Sequence, residues 1–395
     1  MFAVLGFARK SLARLALVVT ALFSVLALAA CVPGTTGGGQ MINTGAPVPV
    51  ALLVPSGSGQ AGDEVLAQSL ENAARLAISD LDGVKIDLRV YSTAGQPAQA
   101  AAMATKAVDE GAKIILGPVY AQSANAAGLA VAGRNVNVLS FSNNAAIAGG
   151  NVFILGPTFR NTANRLVRYA VAQGRGNIMI VHDGTTAGMA GQAAISGAIQ
   201  ANGATLAGSD SYAFSQKGVL DAAPGIAKDI QNSGAEAVFF TANTAGALPL
   251  VTQILTENHV DPKVTQFIGL TRWDIPASTL SLPGVQNGWF ALPDPGLSQQ
   301  FASRYATAFG GPPLPITGLA YDGIAAIGAL VKAGKADALT ARALTQSAGF
   351  VGVGGIFRLL PDGTNERGLA VAQIVNNQVN VIDPAPRSFG AGAGF

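Results

Sequence analysis

The sequence predicts an α/β protein with two doubly wound parallel-sheet units, and three observations lead to this fold class. Short apolar runs such as Ala112–Leu116 and Asn135–Phe141 alternate with amphipathic helical segments, as in sheets whose strands are buried on both faces. The alternation restarts after Gly149-Gly150, which indicates a second unit. Several strands end in small polar residues, and the carboxyl ends of parallel strands are where ligands bind in such sheets.

The first unit reads as four strands separated by helices. Strand Val48–Val54 is followed by a helix over Glu64–Asp80, whose apolar residues recur at helical spacing. Strand Val84–Tyr91 alternates apolar and charged residues, which favours a place near a sheet edge. A helix over Pro97–Asp109 then leads to the strand Ala112–Leu116 and, after a further helix, to Asn135–Phe141.

The second unit repeats the pattern without repeating the sequence. Its predicted strands are Val152–Leu155, Asn177–His182, Thr205–Tyr212, Ala237–Thr241 and Val264–Gly269, with helices over Thr158–Gln173, Ala187–Ala201, Val219–Asn232 and Ala245–Asn258. From Trp273 the chain becomes richer in Pro and Gly, with three more helices and several closing strands. Right-handed crossovers would wind both units in the same sense.

The N-terminus predicts export and lipid attachment. Basic residues precede an apolar run from Leu15 to Ala30, which is the pattern of a secretory signal. The segment from Leu28 to Cys31 resembles a bacterial lipoprotein signal, so residues 1–30 would be removed and Cys31 acylated. A signal peptide with an incidental cysteine is the alternative. Residues 31–47 read as a flexible tether and 384–395 as a disordered tail.

Composition excludes several classes of function. Apolar residues make up 49% of the chain and charged residues 12%, which fits neither a disordered nor a membrane-embedded protein. Removing residues 1–30 leaves 21 basic and 22 acidic residues, so we expect no nucleic-acid partner. With no catalytic constellation or metal-ligand spacing, we expect no enzyme activity, no metal and no cofactor.

Polar residues after the strands are the candidate ligand contacts. The turn from Gly57 to Gly62 matches a dinucleotide fingerprint, but strand 2 ends without the acidic residue that a ribose needs. We therefore interpret it as a tight turn with two serine hydroxyls facing a cleft. The ligand-binding residues predicted from these positions are Ser56, Ser58, Tyr120, Gln122, Ser123, Ser142 and Asn144. Asp322, early in an apolar helix, is either a carboxylate on the helix dipole or a hinge or cleft contact.

The segments Val50–Pro55, Glu110–Pro118, Val138–Asn144, Val264–Leu270 and Ala320–Leu330 together resemble the type I periplasmic-binding fold in its Leu/Ile/Val-binding branch. The resemblance implies two lobes that close on a ligand and are joined by three crossovers. Carried over, the first lobe spans 48–157 and 273–360, and the second spans 158–272 and 366–383.

The resemblance also implies which residues would hold an amino acid. A small hydroxyl residue and helix amides bind the carboxylate in that family, and here Ala121, Gln122 and Ser123 occupy that place. Ser142 and Asn144 match a Ser/Thr pair after the next strand. The acid that would bind the ammonium is replaced by Thr271, with Arg272 beside it, which argues against an ordinary α-amino acid. The resemblance thus adds Thr271 and Arg272 to the predicted ligand-binding residues.

Within this branch, the stretches 110–123 and 166–176 are most similar to penicillin-binding protein activators. The resemblance implies a non-enzymatic lipoprotein on the periplasmic side of the envelope, held in the outer rather than the inner membrane, with a penicillin-binding protein as partner. The alternative is a substrate-binding protein for an ABC permease, with an amino acid, amide or related small polar solute in the cleft. An acidic residue after Cys31 would favour the inner membrane, and Val32 stands there.

Overall fold

Two large sheets organise the protein, whose computed structural model describes residues 38–389. The five-stranded sheet has the order β2-β1-β3-β4-β5, and all of its neighbouring strands are parallel. Its strands are β1 (Val48–Val54), β2 (Ile86–Ser92), β3 (Ile114–Leu116), β4 (Asn137–Ser140) and β5 (Val152–Ile154). We call the part built on this sheet the first lobe.

The seven-stranded sheet forms the second lobe, with the order β15-β14-β10-β9-β8-β6-β7. Five of its strands are parallel, and the last two add an antiparallel edge. They are β6 (Asn177–Asp183), β7 (Thr205–Tyr212), β8 (Ala237–Phe240), β9 (Gln266–Gly269), β10 (Trp289–Leu292), β14 (Ala370–Val375) and β15 (Gln378–Asp383). A small antiparallel sheet contains β11 (Phe350–Gly352), β12 (Gly355–Leu359) and β13 (Asn365–Arg367).

Helices cover both faces of the large sheets. They are α1 (Ala61–Ser79), α2 (Pro97–Asp109), α3 (Ala121–Val131), α4 (Phe159–Ala172), α5 (Thr186–Ala201), α6 (Gln216–Ser233), α7 (Leu248–Glu257), α8 (Pro295–Phe309), α9 (Gly318–Lys332) and α10 (Ala341–Leu344). Alternate residues of β1 enter two separate cores, with Leu52 facing α1 and α9 and Leu53 facing α2. The predicted fold class of two doubly wound parallel-sheet lobes is confirmed.

The predicted lobe boundary at residue 273 is wrong for one strand. We expected 273–360 to lie in the first lobe, but β10 pairs in parallel with β9 and antiparallel with β14 in the second sheet. Trp273 and Phe290 are fully buried in the second-lobe core. A short apolar strand fits either sheet equally well, so the sequence could not assign it.

Both predicted flexible ends contain residues that pack on the folded part. Ile42 is buried, and its N–H donates to the Ala336 carbonyl at 2.9 Å, so the tether expected over 31–47 does not extend that far. Ala385 is buried in the second-lobe core, and the Arg358 guanidinium lies 4.7 Å from the Phe389 ring centre. The disordered tail expected from 384 is therefore wrong at these residues. The predicted signal over 1–30 and Cys31 lie outside the described residues.

Candidate functional site

A cavity of about 870 Å³ lies where the two lobes face each other. Its walls come from the loops that follow β3, β4, β9 and β10, together with α8, the start of α9 and the segments that pass between the lobes. The paired strands β3–β4 and β9–β10 are parallel, so these loops lie at carboxyl ends. This is the place where open α/β sheets bind ligands.

The loop after β3 presents the start of α3 to the cavity. Gly117 has a φ of +86°, and a Cβ at this position would overlap the Leu53 carbonyl, so only glycine fits the turn. The chain then lines the cavity from Val119 to Ala121. Tyr120 is the N-cap of α3 and provides no side-chain cap, so backbone N–H groups of the first turn are available as donors beside the cavity.

Tyr120 also forms part of the cavity wall with its ring, which is 41% exposed. Its hydroxyl donates a hydrogen bond to Asp63, and this carboxylate, together with burial, raises the pKa of Tyr120. The phenol therefore stays neutral at physiological pH. Because the Tyr120 hydroxyl is hydrogen-bonded to Asp63, the ring is the part of Tyr120 that is available to contact a solute.

The loop after β4 is stabilised by its own polar side chains. Ser142 Oγ accepts from the Asn144 N–H at 3.1 Å, and Asn144 Oδ1 accepts from the Ala146 N–H at 2.9 Å. Both residues line the cavity. With their oxygens used as acceptors in the loop, the Ser142 hydroxyl and the Asn144 amide are left as donors. This part of the wall is thus suited to a ligand that accepts hydrogen bonds.

Arg272 contributes charge from the second lobe. Its guanidinium binds Asp274 through two hydrogen bonds, one of them from Nε to Oδ1 at 2.9 Å. The Arg272 side chain is 38% exposed and lines the cavity. The Asp274 carboxylate faces Arg272, so it is not available as the partner of a ligand ammonium group.

A second, buried ion pair lies in the cavity wall. Asp322 in α9 is fully buried and accepts from Arg367 Nη1 at 3.2 Å and from the Val353 N–H at 2.8 Å. Burial raises the pKa of Asp322, although Arg367 and the Val353 N–H oppose that shift. Asp322 thus forms a contact between segments that meet at the cleft, as the second of its two interpretations proposed.

Much of the remaining wall is apolar and was not anticipated. Phe301 of α8, Ile275, Leu319 of α9 and the proline-rich loop 313–316 line this region. The signal in the sequence is the run of prolines at 312–315, which predicts a loop but does not say what the loop covers. The cavity therefore combines a few polar donors with a large apolar surface.

The structure brings together only some of the predicted ligand-binding residues. Tyr120, Ser142, Asn144 and Arg272 line one cavity. The other five predicted residues, Ser56, Ser58, Gln122, Ser123 and Thr271, are not in its wall.

Local contacts explain three of these five differences, those at Ser56, Ser58 and Ser123. Ser56 bonds to Ser92, Ser58 accepts from the Gln60 N–H, and β3 separates their loop from the one after β4. The buried Ser123 hydroxyl donates to the Gly95 carbonyl, and Gln122 is exposed to solvent. Thr271 Oγ1 is buried without a partner among residues 38–389.

Two further kinds of site were sought in the described part of the chain. Within residues 38–389, no helix combines the length and hydropathy that a membrane crossing needs. The same residues contain no cluster of three or more His, Cys, Asp or Glu side chains that could hold a metal ion.

Solved structures share this architecture at low sequence identity. A putative branched-chain amino acid ABC transporter protein from Rhodospirillum rubrum aligns with a TM-score of 0.72 and 17% identity, over 85% of this chain and 100% of that one. A Desulfitobacterium hafniense substrate-binding protein in complex with Leu has a TM-score of 0.61 and 17% identity, over 85% and 100%. A Rhodopseudomonas palustris BisB5 solute-binding protein in complex with 3,4-dihydroxybenzoic acid has 0.56 and 17%, over 86% and 96%.

The family assignment rests on the sequence itself. No curated protein matches the chain. The family model described as "Periplasmic binding protein" matches residues 47–378, which is most of the chain and includes both lobes. The fold and the cleft between the lobes agree with that match. The chain therefore belongs to the periplasmic binding protein family.

Proposed function

We propose that this protein is the solute-binding component of an ABC transporter and that it binds a small solute with one anionic group and an apolar body. The lack of an available acid in the cavity wall carries the proposal. The two guanidinium groups of the wall, Arg272 and Arg367, are each paired with an aspartate, Asp274 and Asp322, and Arg272 keeps Nη1 as a donor. Because Arg367 neutralises Asp322, no acid of the wall is available to an ammonium group.

The polar part of the wall consists of donors on both sides of the cavity. The amides at the start of α3, the Ser142 hydroxyl and the Asn144 amide lie on the first lobe, and Arg272 lies on the second. A carboxylate can accept hydrogen bonds from several such donors at once. A cavity of about 870 Å³ is within the range of sites for organic ligands, and its apolar wall favours a ligand with a hydrocarbon body.

A role in activating a penicillin-binding protein, which the sequence favoured, has less support. None of the three solved structures named above is such an activator, and two of them are described as holding a small organic acid in a transport system. The cavity also offers a wall suited to a solute, which an activator acting only through its surface would not need. We therefore favour a role in solute transport over the activation of a penicillin-binding protein.

Thermal unfolding with a set of related solutes tests the proposal. The set contains 4-methylpentanoate, its amide, leucine and 3,4-dihydroxybenzoate. We expect the two carboxylates without an amine to raise Tm by several degrees at saturation, since a ligand at a hundred times its Kd adds about 2.7 kcal/mol. The amide and leucine should stabilise less. A larger shift with leucine than with 4-methylpentanoate would contradict the anionic ligand, and no shift with any organic solute in a wider screen would contradict transport.

The family implies a location outside the cytoplasm, and we propose that Cys31 carries a lipid that anchors the protein in the envelope, in the outer membrane. The support is the resemblance of Leu28–Cys31 to a lipoprotein signal. Metabolic labelling with a tagged fatty acid should mark the wild type and not Cys31→Ser. Equal labelling of both proteins would contradict the anchor.

A further inference from the structure

The first lobe has two opposite ends, and the solute cavity occupies only one of them. The loops after β3 and β4 line the cavity, whereas the loops that lead into β2, β3 and β4 lie at the other end of this parallel sheet. Helix α9 begins at the cavity with Gly318 and ends at Lys332, which pairs with Asp82 just before β2. We call this other end the amino-end face, and it consists of the loops before β2, β3 and β4, the last turns of α2 and α3, and residues 332–344.

The described chain enters the fold across the amino-end face. Gln40 Nε2 donates to the Arg134 carbonyl at 2.6 Å, and Gly39 lies so close to Thr340 that a Cβ would be 2.4 Å from the Thr340 Cα. Even fully extended, the chain from Cys31 to Gly39, eight residues further on, spans at most about 29 Å. A lipid on Cys31 would therefore hold this face close to a membrane.

The amino-end face has an excess of unpaired positive charge. All of its acidic residues except Asp337 form an ion pair, and these pairs are Asp80–Arg304, Asp82–Lys332, Asp109–Arg134 and Glu110–Lys106. Four of its basic residues form no ion pair within residues 38–389, namely Lys85, Lys113, Lys335 and Arg342. The chain without residues 1–30 has 21 basic and 22 acidic residues, so this excess is a property of the face and not of the protein as a whole.

Two largely exposed apolar side chains lie on the same face. Leu129, in the last turn of α3, is 71% exposed, and Met41, next to the buried Ile42, is 60% exposed. Proteins that bind a membrane surface combine apolar side chains at the headgroup boundary with basic residues that attract anionic lipids. The amino-end face offers both.

We propose that the amino-end face of the first lobe rests on an anionic lipid surface, so that the solute cavity opens away from the membrane. The lipid phosphates would face Lys85, Lys335 and Arg342, which are all exposed. This orientation rests on the acylation of Cys31 proposed above and does not depend on the identity of the solute. A lipid tether alone would let the protein turn, whereas contacts made by this face would fix its orientation.

Energy transfer from single labelled cysteines to the membrane tests the orientation. Cys31 is the only cysteine of the chain, so once it is acylated, Ala336→Cys and Gln122→Cys each offer one thiol to a donor dye. Both positions are exposed, Ala336 on the amino-end face and Gln122 in the first turn of α3 at the opposite end. The lipidated variants are inserted into preformed vesicles of phosphatidylethanolamine and phosphatidylglycerol that contain acceptor-labelled headgroups. Because the two ends of the sheet are about 20 Å apart, we expect transfer from Ala336→Cys to be about twofold more efficient.

Removing charge tests the lipid contact itself. Lys335→Gln/Arg342→Gln, introduced into the variant labelled on the amino-end face, should lower the transfer and abolish its increase with phosphatidylglycerol, because the face loses two of its unpaired cations. Lys217→Gln/Lys228→Gln removes the same charge from exposed positions of α6 in the second lobe. This matched control should leave the transfer unchanged.

The failures of the orientation and of the lipid anchor are distinguishable. Equal transfer from the two labels, or more efficient transfer from Gln122→Cys, would overturn the orientation and leave the anchor intact. Unchanged transfer in Lys335→Gln/Arg342→Gln would show that the face does not bind anionic lipid. Wild-type protein that carries no fatty-acid label on Cys31 would overturn the anchor and the orientation together.

Discussion

Two ion pairs lie at the wall of the solute cavity, and they differ in almost every physical respect. Asp322 and Arg367 have side chains that are 1% and 9% exposed, whereas Arg272 and Asp274 are 38% and 13% exposed. The first pair joins residues 45 positions apart, and the second joins residues two positions apart. Both contain one arginine and one aspartate, so residue type alone does not distinguish them.

The contacts around each pair explain the difference. Arg367 also donates from Nε to the Leu155 carbonyl at 3.1 Å, and Asp322 accepts from the Val353 N–H. The pair thus ties together α9 and two segments that pass between the lobes. Arg272 and Asp274 share one loop after β9, so their contact stabilises that loop and little else. A buried pair with a complete set of partners is costly to break, whereas an exposed pair contributes about 0–1 kcal/mol.

The largest expected effect comes from breaking the buried pair. Arg367→Met should lower the free energy of unfolding by about 3–5 kcal/mol, because it leaves the Asp322 carboxylate buried without its cation. Urea unfolding of the purified protein measures this difference. The double variant Arg367→Met/Asp322→Leu should regain much of the loss, since it removes both charges together. A single-variant loss below 1 kcal/mol would remove the distinction between the two pairs.

Breaking the exposed pair should affect solute binding more than stability. Arg272→Gln should change the free energy of unfolding by no more than about 1 kcal/mol. Its affinity for the best carboxylate of the solute screen should fall about tenfold to a hundredfold, because a hydrogen bond to a charged group contributes about 1.5–3 kcal/mol. Titration calorimetry with that carboxylate and with its amide measures the effect, and the amide should be affected less. Equal losses for both ligands would mean that Arg272 does not bind the anionic group.

Asp80 offers an intermediate case with the smallest expected effect. It accepts hydrogen bonds from Arg304 of α8 and from the Tyr321 hydroxyl of α9, but its side chain is 29% exposed. Burial alone would raise the pKa of Asp80, yet the hydrogen bonds from Arg304 and Tyr321 outweigh it, so that the pKa lies below its ordinary value.

A carboxylate with a lowered pKa contributes stability above its unfolded pKa, about 3.9, and loses it as the pH falls through the folded value. The wild type should therefore be more stable than Asp80→Asn at pH 7, by about 1 kcal/mol or less, and the gap should narrow by pH 3. Urea unfolding at both pH values measures it. A gap that widens on acidification would contradict the sign of the shift.

The sequence predicted the fold through local patterns. Apolar strands such as β3 and β4 alternate with amphipathic helices. This pattern can be read from a single sequence, because the way each element is buried sets the spacing of its apolar residues. The polar residues after those strands were also identifiable, since a parallel sheet places all its carboxyl ends on one edge. Tyr120, Ser142 and Asn144 were predicted on this basis, and Arg272 from the family resemblance; all four line the cavity.

Side-chain direction was not predictable in the same way. Ser123 lies only three residues from Tyr120, yet its hydroxyl faces the Gly95 carbonyl and not the cavity. On a helix, neighbouring residues point about 100° apart, so a shift of one residue in the helix start decides which of them faces a ligand. Whether a serine binds a solute or its own loop therefore depends on the three-dimensional path of the chain.

By itself, the sequence determined the fold class of two parallel-sheet units and most of their strands and helices, because these depend on the periodicity and spacing of neighbouring residues. Only the tertiary structure decided that β5 joins the first sheet, that β10 joins the second, and that Asp322 meets Arg367. These features depend on contacts between distant segments, and such contacts leave no periodic trace in a single sequence.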